Sequence, residues 1–213
     1  MSNYIHVGNN HISLTDEQAA AIVAALRELN VVGKKKNQLF EFEPGEVVKI
    51  GGFEMVVLEH YLGETALICK NFFKDESKFS ETNNNYADST VDCLCETFAD
   101  QLAEVIGREN ILENPVDLTT LDGLKDYGTI TRRASLLTMT EYQRFVDVLD
   151  QHKPDDWWWL ATATSTKRHE NERWALCVSP SGYISYDYYC LSRGGGVRPF
   201  CILKSDIFVS FEE

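Results

Sequence analysis

The chain has 213 residues, 44% of them hydrophobic and 11% aromatic, which is enough to bury a sizeable core and too apolar for a disordered segment. Its 33 acidic and 20 basic side chains leave a formal charge of −13, which disfavours direct binding to a nucleic-acid backbone. It holds no run of about 18 apolar residues for a membrane span, and its first residues lack the basic-then-apolar run of a secretory signal.

Residues 13–30 read as a helix. Thr15 and Gln18 have capping-box spacing, and Ala19, Ile22, Val23, Leu26 and Leu29 recur at helical intervals until Gly33 and the basic run 34–36. This predicts an N-terminal helical segment over 1–36 and one domain over 37–213. Strands are expected over 38–43, 46–50, 53–60 and 65–70. The turns between them are Pro44-Gly45, Gly51-Gly52 and Leu62-Gly63-Glu64, giving an antiparallel meander. After the polar segment 80–86 a second helix spans 88–106 and stops at Gly107. Its apolar stripe is Val91, Leu94, Cys95, Phe98, Leu102 and Val105. On the opposite side Asp88, Asp92, Glu96, Asp100 and Glu104 recur at i, i+4, at a cost of a few tenths of a kcal/mol per pair. That row is either a solvated face or an acidic ridge that offers carboxylates to a basic partner protein as phosphates would be offered. Residues 110–128 read as mostly irregular and 131–138 suits a strand. Thr138 with Glu141 caps a short helix bearing Tyr142, Phe145, Val146 and Leu149.

The last third is the most informative. Trp157, Trp158 and Trp159 cannot all enter one core from a strand, because successive side chains point to opposite faces. Either both faces are covered or one of them binds something. Alternation with Leu160 puts Trp158 in the core and leaves Trp157 and Trp159 on a half-exposed face. A turn at Ser179-Pro180-Ser181-Gly182 and a strand around Gly196-Val197-Arg198-Pro199-Phe200-Cys201 follow. Arg198 suits a scaffold role, its fixed fork of donors anchoring a carboxylate or carbonyls. The elements together predict an α+β protein with a twisted antiparallel sheet and flanking helices.

Signs of catalysis are thin. The six cysteines (Cys69, Cys93, Cys95, Cys177, Cys190, Cys201) include no C-x-x-C pair and are expected to stay free. The five histidines lack metal-ligand spacing, and Gly194-Gly195-Gly196 precedes a strand rather than the helix a phosphate loop needs. Asp155-Asp156 follow Pro154 and read as turn residues. No metal, no cofactor and no enzymatic activity are expected. Cys190, near Arg193, is the one thiol in a setting that could make it reactive.

Trp157-Trp158-Trp159-Leu160-Ala161-Thr162, Cys177-Val178-Ser179-Pro180-Ser181-Gly182 and Gly196-Val197-Arg198-Pro199-Phe200-Cys201 resemble a family of bacterial and prophage proteins classed as a domain of unknown function. Phe53 to Leu58 and Asp122 to Gly128 extend the resemblance to roughly residues 45–210. More distantly, the Trp-rich strand and the late Gly-Val-Arg-Pro strand are similar to the C-type-lectin-like fold of retroelement variable proteins and formylglycine-generating enzymes. The resemblance implies a lectin-like C-terminal region whose late loops form the ligand surface, and a protein of the host cytoplasm or of a phage particle. It also leaves a cysteine- or metal-dependent enzyme of the formylglycine-generating type as an alternative, although Cys177, Cys190 and Cys201 do not align with that family's copper cysteines.

The residues themselves favour recognition. Segments 162–173 and 183–193 read as polar loops rich in Tyr, Ser, Asn, Arg and His, the chemistry of adaptable paratopes. Residues 152–204 hold seven basic and five acidic side chains, against 13 and 25 in residues 1–151. The expected binding set is Trp157, Trp159, Thr164, Arg168, His169, Asn171, Arg173, Tyr183, Tyr186, Asp187, Tyr188, Tyr189 and Arg193. Its expected ligand is a protein or glycan, with no membrane and no direct nucleic acid; the rival expectation is an anti-defence inhibitor acting through the 88–104 ridge.

Overall fold

The computed structural model describes residues 3–7, 10–15, 17–18, 20–22, 37–189 and 195–210. The chain divides into two units, Met1–Asn37 and Gln38–Glu213. In the first, β1 (Asn3–Val7) and β2 (Asn10–Leu14) form an antiparallel hairpin that the sequence did not announce. The hairpin takes up residues 13 and 14, so helical backbone begins after Thr15. There the capping box closes reciprocally: Thr15 N–H donates to Gln18 Oε1 at 3.0 Å and Gln18 N–H to Thr15 Oγ1 at 3.2 Å. Residues 17–18 and 20–22 are helical, and the rest of the expected helix lies outside the described residues.

The second unit begins within β3 (Asn37–Gln38) and continues as a 3-10 turn at Leu39–Glu41 where a strand over 38–43 was expected. Burial explains the difference. Leu39 and Phe42 are both buried, and three-residue spacing brings them to one side in a 3-10 turn but to opposite faces in a strand. The meander is as expected: β4 (Val47–Ile50), β5 (Phe53–Tyr61) and β6 (Glu64–Cys69) pair antiparallel in order. Gly51 turns between the first two at φ 61°, with a Val105 methyl 2.8 Å from where a Cβ would stand.

β7 (Lys74–Ser77) leads to α1 (Thr90–Ile106), whose cap Ser89 accepts from Asp92 N–H. Residues 114–132, where 110–128 was expected to be mostly irregular and a strand to begin at 131, form a small hairpin of β8 (Asn114–Asp117) and β9 (Thr129–Arg132). β10 (Ala134–Ser135) precedes α2 (Met139–Leu149), which has the full Thr138/Glu141 capping box. The late strands are β11 (Trp158–Ala163), β12 (Trp174–Val178), β13 (Ile184–Tyr188), β14 (Gly195–Val197), β15 (Phe200–Lys204) and β16 (Phe208–Val209).

Among the described residues, two sheets of five strands each stand where one was expected, ordered β10-β15-β6-β5-β4 and β13-β12-β11-β14-β7. Pairing is antiparallel except between β11 and β14, which run parallel. The strands alternate between two cores. Met55, Val57, Leu67, Trp159, Ala175 and Val197 meet Val91, Cys95, Phe98 and Leu102 of α1 in one. Val56, Leu58, Ile68, Trp158, Leu160 and Leu176 meet Tyr142, Phe145 and Leu149 of α2 in the other. The architecture is α+β with helices covering opposite faces.

Both faces of the Trp strand are therefore covered, which corrects the expectation of a half-exposed one. Trp158 and Trp159 are buried, and Trp157 precedes β11 at 37% exposure. Buried Trp159 donates its indole N–H to Ser77 O at 2.9 Å, so the ring's polar atom is satisfied inside the core. Arg198 takes the scaffold role. It is fully buried, donates Nε–H to Cys69 O at 2.6 Å and Nη2–H to His152 O at 3.0 Å, and lies 5.4 Å from the Trp158 ring centre. Burial pushes its guanidinium down to about 10.

The described cysteines, Cys69, Cys93, Cys95, Cys177 and Cys201, are free thiols, and all but Cys93 are buried. Burial pushes the Cys201 thiol up to about 12; burial and the nearby Asp187 carboxylate do the same for Cys177. Such thiols are poor nucleophiles. Cys190 and Arg193 lie outside the described residues.

Candidate functional site

The loop 164–173, between β11 and β12, is held from beneath by a buried asparagine. Asn84 is fully buried and its side chain is bonded at both ends: Nδ2 donates to Ser165 O at 3.0 Å and Trp174 O at 2.9 Å, Oδ1 accepts from Tyr127 O–H at 2.6 Å, and the backbone N–H donates to Glu172 O at 3.1 Å. One short side chain thereby ties three loops together. Burial, with the Glu172 and Asp126 carboxylates nearby, pushes the Tyr127 phenol up to about 12, so it stays a donor.

Two carboxylates from the loop 118–128 set the outward cations. Asp126 accepts from Thr166 Oγ1 at 2.6 Å and pairs with the Arg168 guanidinium. Asp122 accepts from Thr120 Oγ1 at 2.5 Å and faces His169 Nδ1 at 2.9 Å. The Thr120 hydrogen bond, with help from Ser165 and His169, holds the Asp122 carboxyl far below the usual carboxylate range. Arg168 and His169 side chains remain 61% and 55% exposed. Exposed pairs of this kind add little stability; they fix direction, presenting a guanidinium and an imidazole Nε2 outward from a one-turn 3-10 helix at Lys167–His169.

Beside this loop lies an aromatic surface. Segment 183–193 was expected to be a loop, but Ile184–Tyr188 is a strand at the edge of the second sheet. Its period-2 alternation sends Ile184, Tyr186 and Tyr188 to one face and Ser185 and Asp187 to the other. Trp174 of the neighbouring strand makes edge contacts with Tyr186 at 5.6 Å and Tyr188 at 5.4 Å, and Tyr188 stacks on Tyr189 at 5.0 Å. Tyr186 is 58% exposed, which leaves a ring face for a ligand. Tyr183 is also exposed, just before the strand.

The other expected residues are placed as follows. Trp159 is removed from the surface by burial. Thr164 is half-buried and donates to Trp174 O, and Asn171 is half-buried with its N–H on Thr166 O. Arg173 is exposed, and its carbonyl accepts from Tyr189 N–H. Asp187 is half-buried and accepts from Tyr188 N–H. Tyr189 is partly buried against the α1-side core. Arg168, His169, Arg173, Tyr183 and Tyr186 are thus the exposed members of the expected set, with Tyr188 half-buried and Trp174, which was not expected, packed against Tyr186 and Tyr188. Asn84, Asp122, Asp126, Tyr127 and Trp174 were missed as site residues, since their roles arise from contacts far apart in sequence.

The acidic ridge does not exist as one open face. Asp92 is buried and grips Arg132, with Nε 3.0 Å from Oδ1 and Nη2 2.8 Å from Oδ2, while it also accepts Asp88 N–H. Arg132 further lies 3.6 Å from Asp88 and 4.0 Å from Glu96, and Arg108 pairs with Asp100 at 3.3 Å. Two cations from outside the helix, Arg132 and Arg108, thus interrupt the row of five carboxylates, of which Asp88, Asp100 and Glu104 remain exposed. Val105, expected in the apolar stripe, is exposed.

A separate open groove of about 940 Å³ runs between Lys70–Glu76 and Gln151–Asp156, lined by charges of both signs. None of the expected binding residues lines it. Among the described residues, no cluster of three or more His, Cys, Asp or Glu side chains could hold a metal ion, and no helix is long and apolar enough to cross a membrane. No protein-family model, curated protein or solved structure matches the chain.

Proposed function

We propose that the protein is a non-enzymatic recognition module that holds a protein or glycan on the surface made by Arg168, His169, Arg173, Trp174, Tyr186 and Tyr188. The observation that carries this reading is preorganisation: the cations are aimed by Asp122 and Asp126, and Trp174 is fixed between two tyrosines. A ligand meeting such a surface orders few side chains on binding, which raises affinity per contact. Tyr, Trp and Arg are also the residue types that dominate binding hot spots.

In this reading the C-terminal region works as a C-type-lectin-like scaffold of phage or prophage origin, acting in the host cytoplasm or as part of a particle. Helices on opposite faces of largely antiparallel sheets, with the candidate surface on late elements, support the scaffold part of that reading. The inhibitor reading draws less support because Asp92 is buried against Arg132 and Asp100 pairs with Arg108, so cations interrupt the carboxylate row.

The test screens the full chain on a glycan array and against a displayed peptide library, then compares two variants on each binder found. Arg168→Ala with Tyr188→Ala should weaken binding at least tenfold, about 1.4 kcal/mol. Charge reversal of Asp88, Asp100 and Glu104 to Lys should leave it unchanged. If the helix variant loses binding and the surface variant keeps it, the inhibitor reading stands instead.

A further inference from the structure

The aromatic edge strand has a second property, independent of any ligand. Tyr189 N–H donates to Arg173 O and Ser179 N–H donates to Tyr183 O, so in the β12–β13 ladder the odd residues 183, 185, 187 and 189 bond inward. The backbone groups of Ile184, Tyr186 and Tyr188 consequently point outward. Of the three outward N–H groups, that of Tyr188 is turned back onto Asp187 Oδ1 at 2.7 Å. Among the described residues no strand pairs with this outer edge, and β13 holds no Pro, Lys or bulge of the kind that blunts natural edges.

We infer that β13 is a pairing edge for a second copy of this chain, joined antiparallel about a two-fold axis through Tyr186. The sequence Ile184-Ser185-Tyr186-Asp187-Tyr188 is self-complementary in that register. Tyr186 meets its own copy in a doubly hydrogen-bonded pair, and Ile184 meets Tyr188 on the same face, an aliphatic–aromatic cross-strand contact. On the other face Ser185 meets Asp187, so a hydroxyl faces each carboxylate and no like charges are opposed. A one-residue slip would break this matching by putting side chains of opposite faces together. The ten-strand continuous sheet would carry two copies of the Arg168–Trp174 surface on one rigid body, giving a bivalent receptor. A five-residue pairing is small beside the roughly 1,200–2,000 Å² of a stable interface, so the association is reversible and depends on concentration.

Sedimentation equilibrium of the full chain across about 1–500 µM tests this. The expected result is a mass that rises towards twice the monomer's. Tyr186→Pro removes the central outward N–H without touching the ladder to β12, since that N–H has no partner there, and should give a monomer with unchanged circular dichroism. Ser185→Asp keeps the backbone intact but opposes two carboxylates across the axis twice over, and should weaken association at least tenfold; it serves as the second test if the proline variant folds poorly. A monomer at every concentration, or a dimer that Ser185→Asp leaves at full strength, overturns the inference. Neither outcome bears on the ligand reading, which the Ser185→Asp variant can test separately, since residue 185 lies on the other face of the strand from Tyr186 and Tyr188.

Discussion

Arg198 offers the sharpest test of how the two sheets are locked together. Its guanidinium spans the Cys69 and His152 carbonyls and faces the Trp158 ring, so it joins the end of β6, the turn after α2 and the start of β11. In Arg198→Lys a single ammonium on an unbranched stem keeps one carbonyl at most. Each charge-assisted hydrogen bond contributes about 1.5–3 kcal/mol and the indole contact about 0.5–2, so the loss should be about 2–4 kcal/mol. For a unit of this size that lowers Tm by roughly 5–15 °C. The deficit should also depend on pH. An amine buried there titrates below its unfolded value of about 10.4, so the unfolded state binds more protons and stability rises with pH. The gap to the parent should therefore narrow between about pH 7 and pH 9, read by urea unfolding at each pH. A loss below about 1 kcal/mol would refute the clamp.

Two further outcomes follow from burial. Trp159→Phe leaves the Ser77 carbonyl without its 2.9 Å donor inside the core and should cost about 2–4 kcal/mol, whereas Trp157→Phe should stay within about 0.5; equal losses in chemical denaturation would contradict the two-sided burial of β11. The Cys177 and Cys201 thiols have folded pKa values raised to about 12, so the folded state keeps protons that the unfolded state gives up. Stability is then fully present below about pH 8.5 and falls towards pH 12, by up to about 1.4 kcal/mol per pH unit for each thiol; unfolding free energies that do not change between pH 8 and pH 10 would rule this out.

Local signals were legible and distant ones were not. The β4–β6 meander and both helices of the larger unit followed from alternation, helical spacing, turn glycines and the Thr138 cap, all carried within a few residues, while the Ser89 cap that starts α1 at Thr90 rather than 88 went unread. β13 was mistaken for a loop because its composition is polar and tyrosine-rich, although Ile184, Tyr186 and Tyr188 alternate with Ser185 and Asp187 at strand period. The β8–β9 hairpin escaped because Pro115 sits in its first strand and only Val116 of that strand is buried. The acidic row looked open because the cation that closes on Asp92 is Arg132, 40 residues further along. Asp122 and Asp126 gained meaning only once folding set them against His169 and Arg168.

The segment 195–204 belongs to both sheets: β14 pairs with β7 and β11, and β15 pairs with β6 and β10. Arg198 and Pro199 sit at the crossing between them. During synthesis, then, β7 waits for more than a hundred residues before its partner β14 leaves the ribosome, and β6, already paired with β5, waits as long for β15, so neither sheet can be completed earlier. A chain with such distant pairings folds slowly and exposes unpaired strands to aggregation in the interval. Nascent protein stalled before residue 195 should therefore be protease-sensitive and a chaperone client, and should become resistant abruptly once the closing segment emerges.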